Sequence, residues 1–249
     1  MNICILGDGL TSLSLAKNLI NKKINVHIYQ NKKIDNSLSS RTIGISKNNL
    51  EFYEKEIHKL PKKIKWEIKK IEIYSEKLKK NKILNFENDD KNLFYMVKND
   101  ALYKSLYNEL SKNKFFHRVL IKESFFYDKL LKKNNYDLII NCNQNNPISK
   151  KYFIKRINKD YKNLAYTTIL EHEKLNNDSA IQVFTEVGPI AFLPISNTKT
   201  SVVFSIDIKN KNFNNNEILD LIKKHNPKFK IKKILGLSNF ELKSSNLRN

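Results

Sequence analysis

The first thirty residues constrain the fold more than any other stretch. Ile3-Cys4-Ile5-Leu6 is a short apolar run without polar alternation, as expected of a strand buried on both faces. Gly7-Asp8-Gly9-Leu10-Thr11-Ser12 follows, and then Leu13, Leu15, Ala16, Leu19 and Ile20 recur at helical spacing. Ile24–Tyr29 is a second strand. This strand–turn–helix–strand order is the layout of a dinucleotide-binding βαβ unit. Gly7 permits the tight turn. Gly9 lets the backbone approach a pyrophosphate at the helix start, where free N–H groups and the helix dipole favour an anion. Ser12 stands at the third glycine position. Gln30 stands where an acidic residue would accept from a ribose hydroxyl, and offers an amide oxygen without charge assistance. Gly7, Gly9, Leu10, Thr11, Ser12 and Gln30 are therefore the candidate nucleotide contacts. The alternative is an ordinary βα turn that happens to carry two glycines.

A chain of 249 residues can bury one large core or two interleaved ones. No apolar run approaches the roughly 18–20 residues of a membrane span, and the first strand begins at residue 3, leaving no room for a leader before it. Cys4 and Cys142 both fall in expected buried strands, and no Cys/His cluster has metal spacing, so neither a disulfide framework nor a zinc site is expected. These features point to the cytoplasm. The net charge of +21 raises the question of nucleic acid, yet only four basic residues are arginine, the better reader of phosphates and base edges. Scattered lysines read as solvated faces first, as attraction to the inner, anionic membrane surface second, and as a nucleic-acid site last.

Further along, Leu50–Leu60 is expected to be a helix and Trp66–Tyr74 a half-exposed strand paired with Ile83–Phe86 across a turn at 80–82. Leu93–Val97 is a strand, Ala101–Leu110 a helix, Phe115–Ile121 a strand and Tyr136–Cys142 a buried strand. From Leu164 the pattern becomes a run of strands: Leu164–Glu173, Ala180–Glu186, Pro189–Pro194 and Ser201–Asp207. A helix at Asn216–Lys224 and strands at Phe229–Leu235 and Phe240–Lys243 close the chain. The expected class is α/β: a Rossmann-like domain (1–62 and 93–158) interleaved with a mostly antiparallel β-sheet domain (63–92 and 159–249).

The chain resembles the aromatic-ring flavin hydroxylases, and within them the ubiquinone-biosynthesis FAD-dependent hydroxylases. Gly7–Ala16 is similar to their first FAD motif, and Ser40-Arg41-Thr42-Ile43-Gly44-Ile45-Ser46 to the arginine loop that lies along the flavin. Tyr161–Ile169, Ala180–Thr185, Gly188–Ser196 and Ser201–Phe204 are similar to the core of the substrate domain. The resemblance implies FAD as cofactor, with Arg41 among its contacts, NAD(P)H as reductant, and ring hydroxylation of a polyprenylated phenol. Such an enzyme relies on its cofactor and an apolar pocket rather than on a triad or metal. Asn143-Gln144-Asn145-Asn146-Pro147 stands where the family has an Asp-Gly pair, and the family's second FAD motif would begin about where residue 249 falls. The FAD motifs thus read as degenerate and the chain as shortened. A non-catalytic paralogue or fragment is the second reading: an accessory subunit of a complete hydroxylase, a homo-oligomer or a scaffold for a quinone-like lipid.

Tyr166, Phe192 and Pro194 are candidates to line the substrate pocket, with a core role as the alternative. The five histidines lack metal-ligand spacing and read as surface or strand residues. Glu171-His172-Glu173 reads as the polar edge of a strand, its two carboxylates on one face and the imidazole on the other.

Overall fold

The computed structural model describes residues 1–30, 41–78, 81–87, 92–121, 126–132, 135–143, 146–152, 155–207 and 213–247. Strand β1 (Asn2–Leu6), helix α1 (Leu10–Asn21) and strand β2 (Asn25–Gln30) form the expected N-terminal unit. Together with β8 (Phe116–Leu120) and β9 (Leu138–Asn141) they give a four-stranded parallel sheet in the order β8-β2-β1-β9. Ile3, Cys4, Ile5 and Leu6 are at most 2% exposed, which is why this strand carries no polar alternation. α1 and α3 (Asn99–Leu110) cover one face through Leu13, Ala16, Ile20, Leu102, Leu106 and Leu110. The other face is covered by two short helices, α4 (Phe126–Lys132) and α5 (Pro147–Tyr152), which pack Tyr127, Leu130 and Ile148 on Cys4 and Leu6.

A second sheet has seven strands in the order β14-β10-β13-β12-β11-β5-β6. Its members are β5 (Lys70–Ser75), β6 (Lys82–Glu87), β10 (Arg156–His172), β11 (Ser179–Thr185), β12 (Gly188–Ser196), β13 (Lys199–Asp207) and β14 (Ile231–Leu247). All its pairs are antiparallel except β11 with β5. α6 (Asn215–Lys224) begins with a capping box in which Asn214 and Glu217 satisfy each other's backbone N–H. It lays Ile218 and Ile222 on one face of this sheet. On the opposite face lies a small antiparallel sheet, β3 (Thr42–Ser46), β7 (Phe94–Lys98) and β4 (Lys65–Ile68), with Ile68 and Met96 packed on Ile169, Ala180 and Ile195. α2 (Lys47–Glu56) follows β3, its N-cap supplied by Ser46.

The α/β class with a parallel and a mostly antiparallel sheet is as expected. The pairing of Ile71 with Phe86 and of Ile73 with Leu84 also matches expectation, although residue 80 of that turn lies outside the described residues. Several elements differ. Trp66–Tyr74 is two strands in two sheets, broken at Lys69, whose N–H donates to the Asp178 carbonyl. β9 is an edge strand among the described residues, so Leu138 is 45% exposed instead of buried, and Cys142 lies just past its end, half-buried. The two expected C-terminal strands are one, β14, which continues through a bulge at Gly236 in the left-handed region (φ 61°). Glu171-His172-Glu173 is no edge: β10 runs between β14 and β13, and His172 is 2% exposed, bonded to the Glu173 carbonyl (2.8 Å) and to Thr200 (3.0 Å).

Candidate functional site

The site is built at the C-terminal edge of the parallel sheet, where such sheets open their ligand crevice. Gly7 has φ 105°, a conformation that L side chains rarely adopt, and its N–H donates to the Tyr29 carbonyl. A Cβ there would also meet the Asn143 Cβ at 3.2 Å. The turn after β1 and the turn after β9 therefore lie against each other. Gly9 is the N-cap of α1, exposed and extended, with no side-chain cap on the helix start and no acidic residue in its first turn. Leu10 packs on the core, Thr11 is exposed and Ser12 is 1% exposed, so the position of the third glycine tolerates a hydroxymethyl group.

Gln30 is at the end of β2, as expected, but its side chain is taken. The Arg118 guanidinium, on the neighbouring strand β8, donates through Nε to the Gln30 amide oxygen at 2.9 Å and through Nη2 to the same oxygen. Nη2 also donates to the Asp8 carboxylate at 3.0 Å, and the Tyr103 hydroxyl lies at 3.4 Å. The guanidinium carbon stands 4.8 Å from the centre of the Tyr107 ring. Gln30 is 8% exposed. Sequence reasoning missed Arg118 altogether. Its one signal was scarcity: an arginine inside a strand of an arginine-poor chain.

On the other side of the crevice, the Asn143–Pro147 stretch forms a capping network. Asn146 caps α5, its Oδ1 accepting from the Ser149 N–H at 2.8 Å, and Pro147 takes the first helical position. The Asn141 side chain binds Asn146 (2.7 Å) and Ser149 (2.6 Å) and accepts from the Asn143 N–H (3.0 Å). Gln144 and Asn145 lie outside the described residues, as does Ser40 of the arginine loop. Arg41 joins three elements. Its carbonyl accepts from the Asn99 N–H at the start of α3, its residue leads into β3, and its guanidinium sits 5.2 Å from the centre of the Phe240 ring on β14. Thr42 then donates to Ser201 of β13 at 3.2 Å.

These contacts define which face of the seven-stranded sheet meets the small sheet that carries β3. By register, Phe240 is opposite Ala165, Ser201 opposite Ile169 and Ser238 opposite Thr167, so this face carries Ala165, Thr167 and Ile169. Thr167 and Ser238 share a hydrogen bond of 2.8 Å on it. Tyr166 and Phe192 have the opposite parity. They are 5% and 0% exposed in the core against Ile218 and Ile222 of α6, and Pro194 is buried on the same side. A separate cleft of about 450 Å³ between β4, β7 and the 176–178 and 197 loops is lined by Lys62, Trp66, Tyr95 and Asp178, and by none of the residues expected from the sequence. No group of metal-ligating side chains occurs among the described residues.

The fit to a dinucleotide is thus split. The two-glycine turn and the uncapped start of α1 suit a pyrophosphate. At the ribose end the fit is poorer among the described residues, because the Gln30 amide oxygen at the end of β2 already accepts from Arg118.

No protein-family model and no curated protein matches the sequence. Solved structures do. Over 100% of this chain and 71% of the other, it superposes on 2-methyl-3-hydroxypyridine-5-carboxylic acid oxygenase with a TM-score of 0.73 at 11% identity. A protein from Photorhabdus luminescens subsp. laumondii described as an FAD-containing monooxygenase gives 0.67 at 12% identity, over 99% of this chain and 77% of that one. A tetracycline destructase gives 0.56 at 10% identity, over 99% and 70%. The chain has the fold of the FAD-dependent monooxygenases.

Proposed function

We propose that the chain is a flavin-hydroxylase-type protein that takes FAD at the β1–α1 turn and acts, with NAD(P)H as reductant, on the ring of a polyprenylated phenol in ubiquinone biosynthesis. The observation that supports this reading most is the Gly7–Gly9 turn in front of an uncapped helix, at the edge of a parallel sheet, inside a fold shared with FAD-containing monooxygenases. FAD supplies the redox chemistry when bound. The chain's own residues bind and orient: the first N–H groups of α1 donate to phosphate oxygens, and Arg41 places a cation between the start of α3 and β14.

A second reading has one specific observation in its favour. Arg118 holds Gln30 and Asp8 in an internal cluster, which suits a non-catalytic paralogue that no longer needs its ribose acceptor and serves as an accessory subunit to a complete hydroxylase. Visible absorption of the purified protein and a fluorescence titration with FAD separate the two. Yellow protein, or saturable FAD binding with a Kd near about 1 μM or a little above it, supports the first reading. A colourless protein with no saturation at millimolar FAD overturns it and leaves the accessory role. No described helix is long and apolar enough to cross a membrane, so a lipid substrate would be met at a surface.

A further inference from the structure

The far ends of β10 and β14 leave the sheet as a two-stranded ribbon. β13 pairs with β10 only from Asn163 onward, whereas β14 pairs with it from Arg156 through Asp160. Between the two regions β10 bulges, with Lys162 in the left-handed region (φ 56°), a geometry at which a strand bends. Ile157 to Lys162 are all exposed, and so are Lys243, Ser245 and Asn246. A two-stranded ribbon open on both faces buries too little to be stable by itself in water and gains from lying on a surface.

Its two faces differ. Register places Ile157 opposite Asn246 and Lys159 opposite Ser244, so Ile157, Lys159 and Tyr161 share a face with Leu242, Ser244 and Asn246. Contacts agree: Lys159 stands 5.0 Å from the Tyr161 ring centre, and the Tyr161 hydroxyl donates to Ser244 at 3.4 Å. Ile157 is 58% and Tyr161 45% exposed. This face has no carboxylate. The acids Asp160 and Glu241 are on the other face, held by Lys162 and Lys243. An aliphatic residue, a tyrosine and an uncompensated lysine on one acid-free face form a pattern suited to a bilayer interface. There the ring sits at headgroup depth and the ammonium reaches phosphates. The whole chain, at +21, carries the complementary charge.

We propose that the Ile157–Lys159–Tyr161 face of the β10–β14 ribbon is a docking surface for an anionic lipid bilayer. This goes beyond the flavin reading and stands whether or not FAD binds. Co-sedimentation of the full chain with phosphatidylcholine vesicles, with and without phosphatidylglycerol, tests it. Binding is expected only with the anionic lipid and weakens as salt is raised. Ile157→Asp and Lys159→Glu are each expected to lower the partition coefficient about tenfold. Asn158→Asp and Ser245→Asp place new charge on the opposite face and are expected to change it less than about twofold. Thermal melts of all four variants check that each is folded. Equal losses from both faces would mean that net charge alone binds, and would overturn the proposal. So would absence of binding, or a dimer in sedimentation that Ile157→Asp dissolves while vesicles have no effect.

Discussion

Arg118 and Gln30, on adjacent parallel strands, are joined by two donor bonds from one guanidinium to one amide oxygen. The pair occupies the place where a dinucleotide fold ordinarily offers a free acceptor, and it draws Asp8 from the glycine turn into the same cluster.

Replacing Arg118 by alanine removes these bonds and leaves the half-buried Asp8 carboxylate without its cation. Hydrogen bonds to charged groups contribute about 1.5–3 kcal/mol, so a loss of about 2 kcal/mol in unfolding free energy is expected from denaturant titration. The same change frees Gln30. FAD affinity measured well below the unfolding midpoint is expected to rise about tenfold, or 1.4 kcal/mol. An unchanged affinity would mean that the cluster does not govern the ribose end.

Lys23 follows α1 with φ 61°, and the Ile24 N–H reaches back to the Leu19 carbonyl. This is a Schellman-type end, in which glycine is preferred because a Cβ costs about 1 kcal/mol. Lys23→Gly is therefore expected to stabilise the chain by about 0.5–1 kcal/mol, a gain of about 1–4 °C in Tm by calorimetry.

Gly188, at the turn into β12, has φ 142°, and a Cβ there would meet the Ser205 carbonyl oxygen at 2.0 Å. Backbone is on both sides of that clash, so no side chain can swing away. Gly188→Ala is expected to cost more than about 3 kcal/mol, read as a large fall in Tm or as loss of folded protein.

His27 bonds Tyr136 at 3.0 Å and lies 4.6 Å, ring to ring, from His117 on β8. Burial, and secondarily His117, hold its pKa below the ordinary histidine value. As pH falls below about 6.5 the unfolded chain takes up this proton before the folded chain does. The stability due to neutral His27 is present above that pH and is lost as pH falls through the lowered value. Thermal melts between pH 7 and pH 5 are expected to show a smaller fall for His27→Gln than for the parent protein.

Local signals carried a large part of the fold. Ile3–Leu6, Ile24–Tyr29 and Tyr136–Cys142 were legible as strands of a Rossmann-like unit, and β2-β1-β9 is the parallel order that forms. Gly7 marked the turn because its φ of 105° suits glycine, whereas Gly9 is in ordinary extended backbone with open space around it. Asn146-Pro147 carried a helix-start signature for α5 that went unread behind its run of polar residues.

The sequence determined the periods: an unalternating N-terminal strand, an amphipathic α1, alternating strands after Leu164. It could not decide parity. Period-two alternation says that Tyr166 and Thr167 face opposite ways, but not which of them is on the side of α6 and which on the side of the small β3-β7-β4 sheet. That was settled by contacts far apart in sequence, Arg41 on Phe240 and Thr42 on Ser201. Arg118 is the same case. A guanidinium at one place in the chain and an amide 88 residues earlier become partners only because β8 docks beside β2. The energy of that pairing exists only once the sheet has formed.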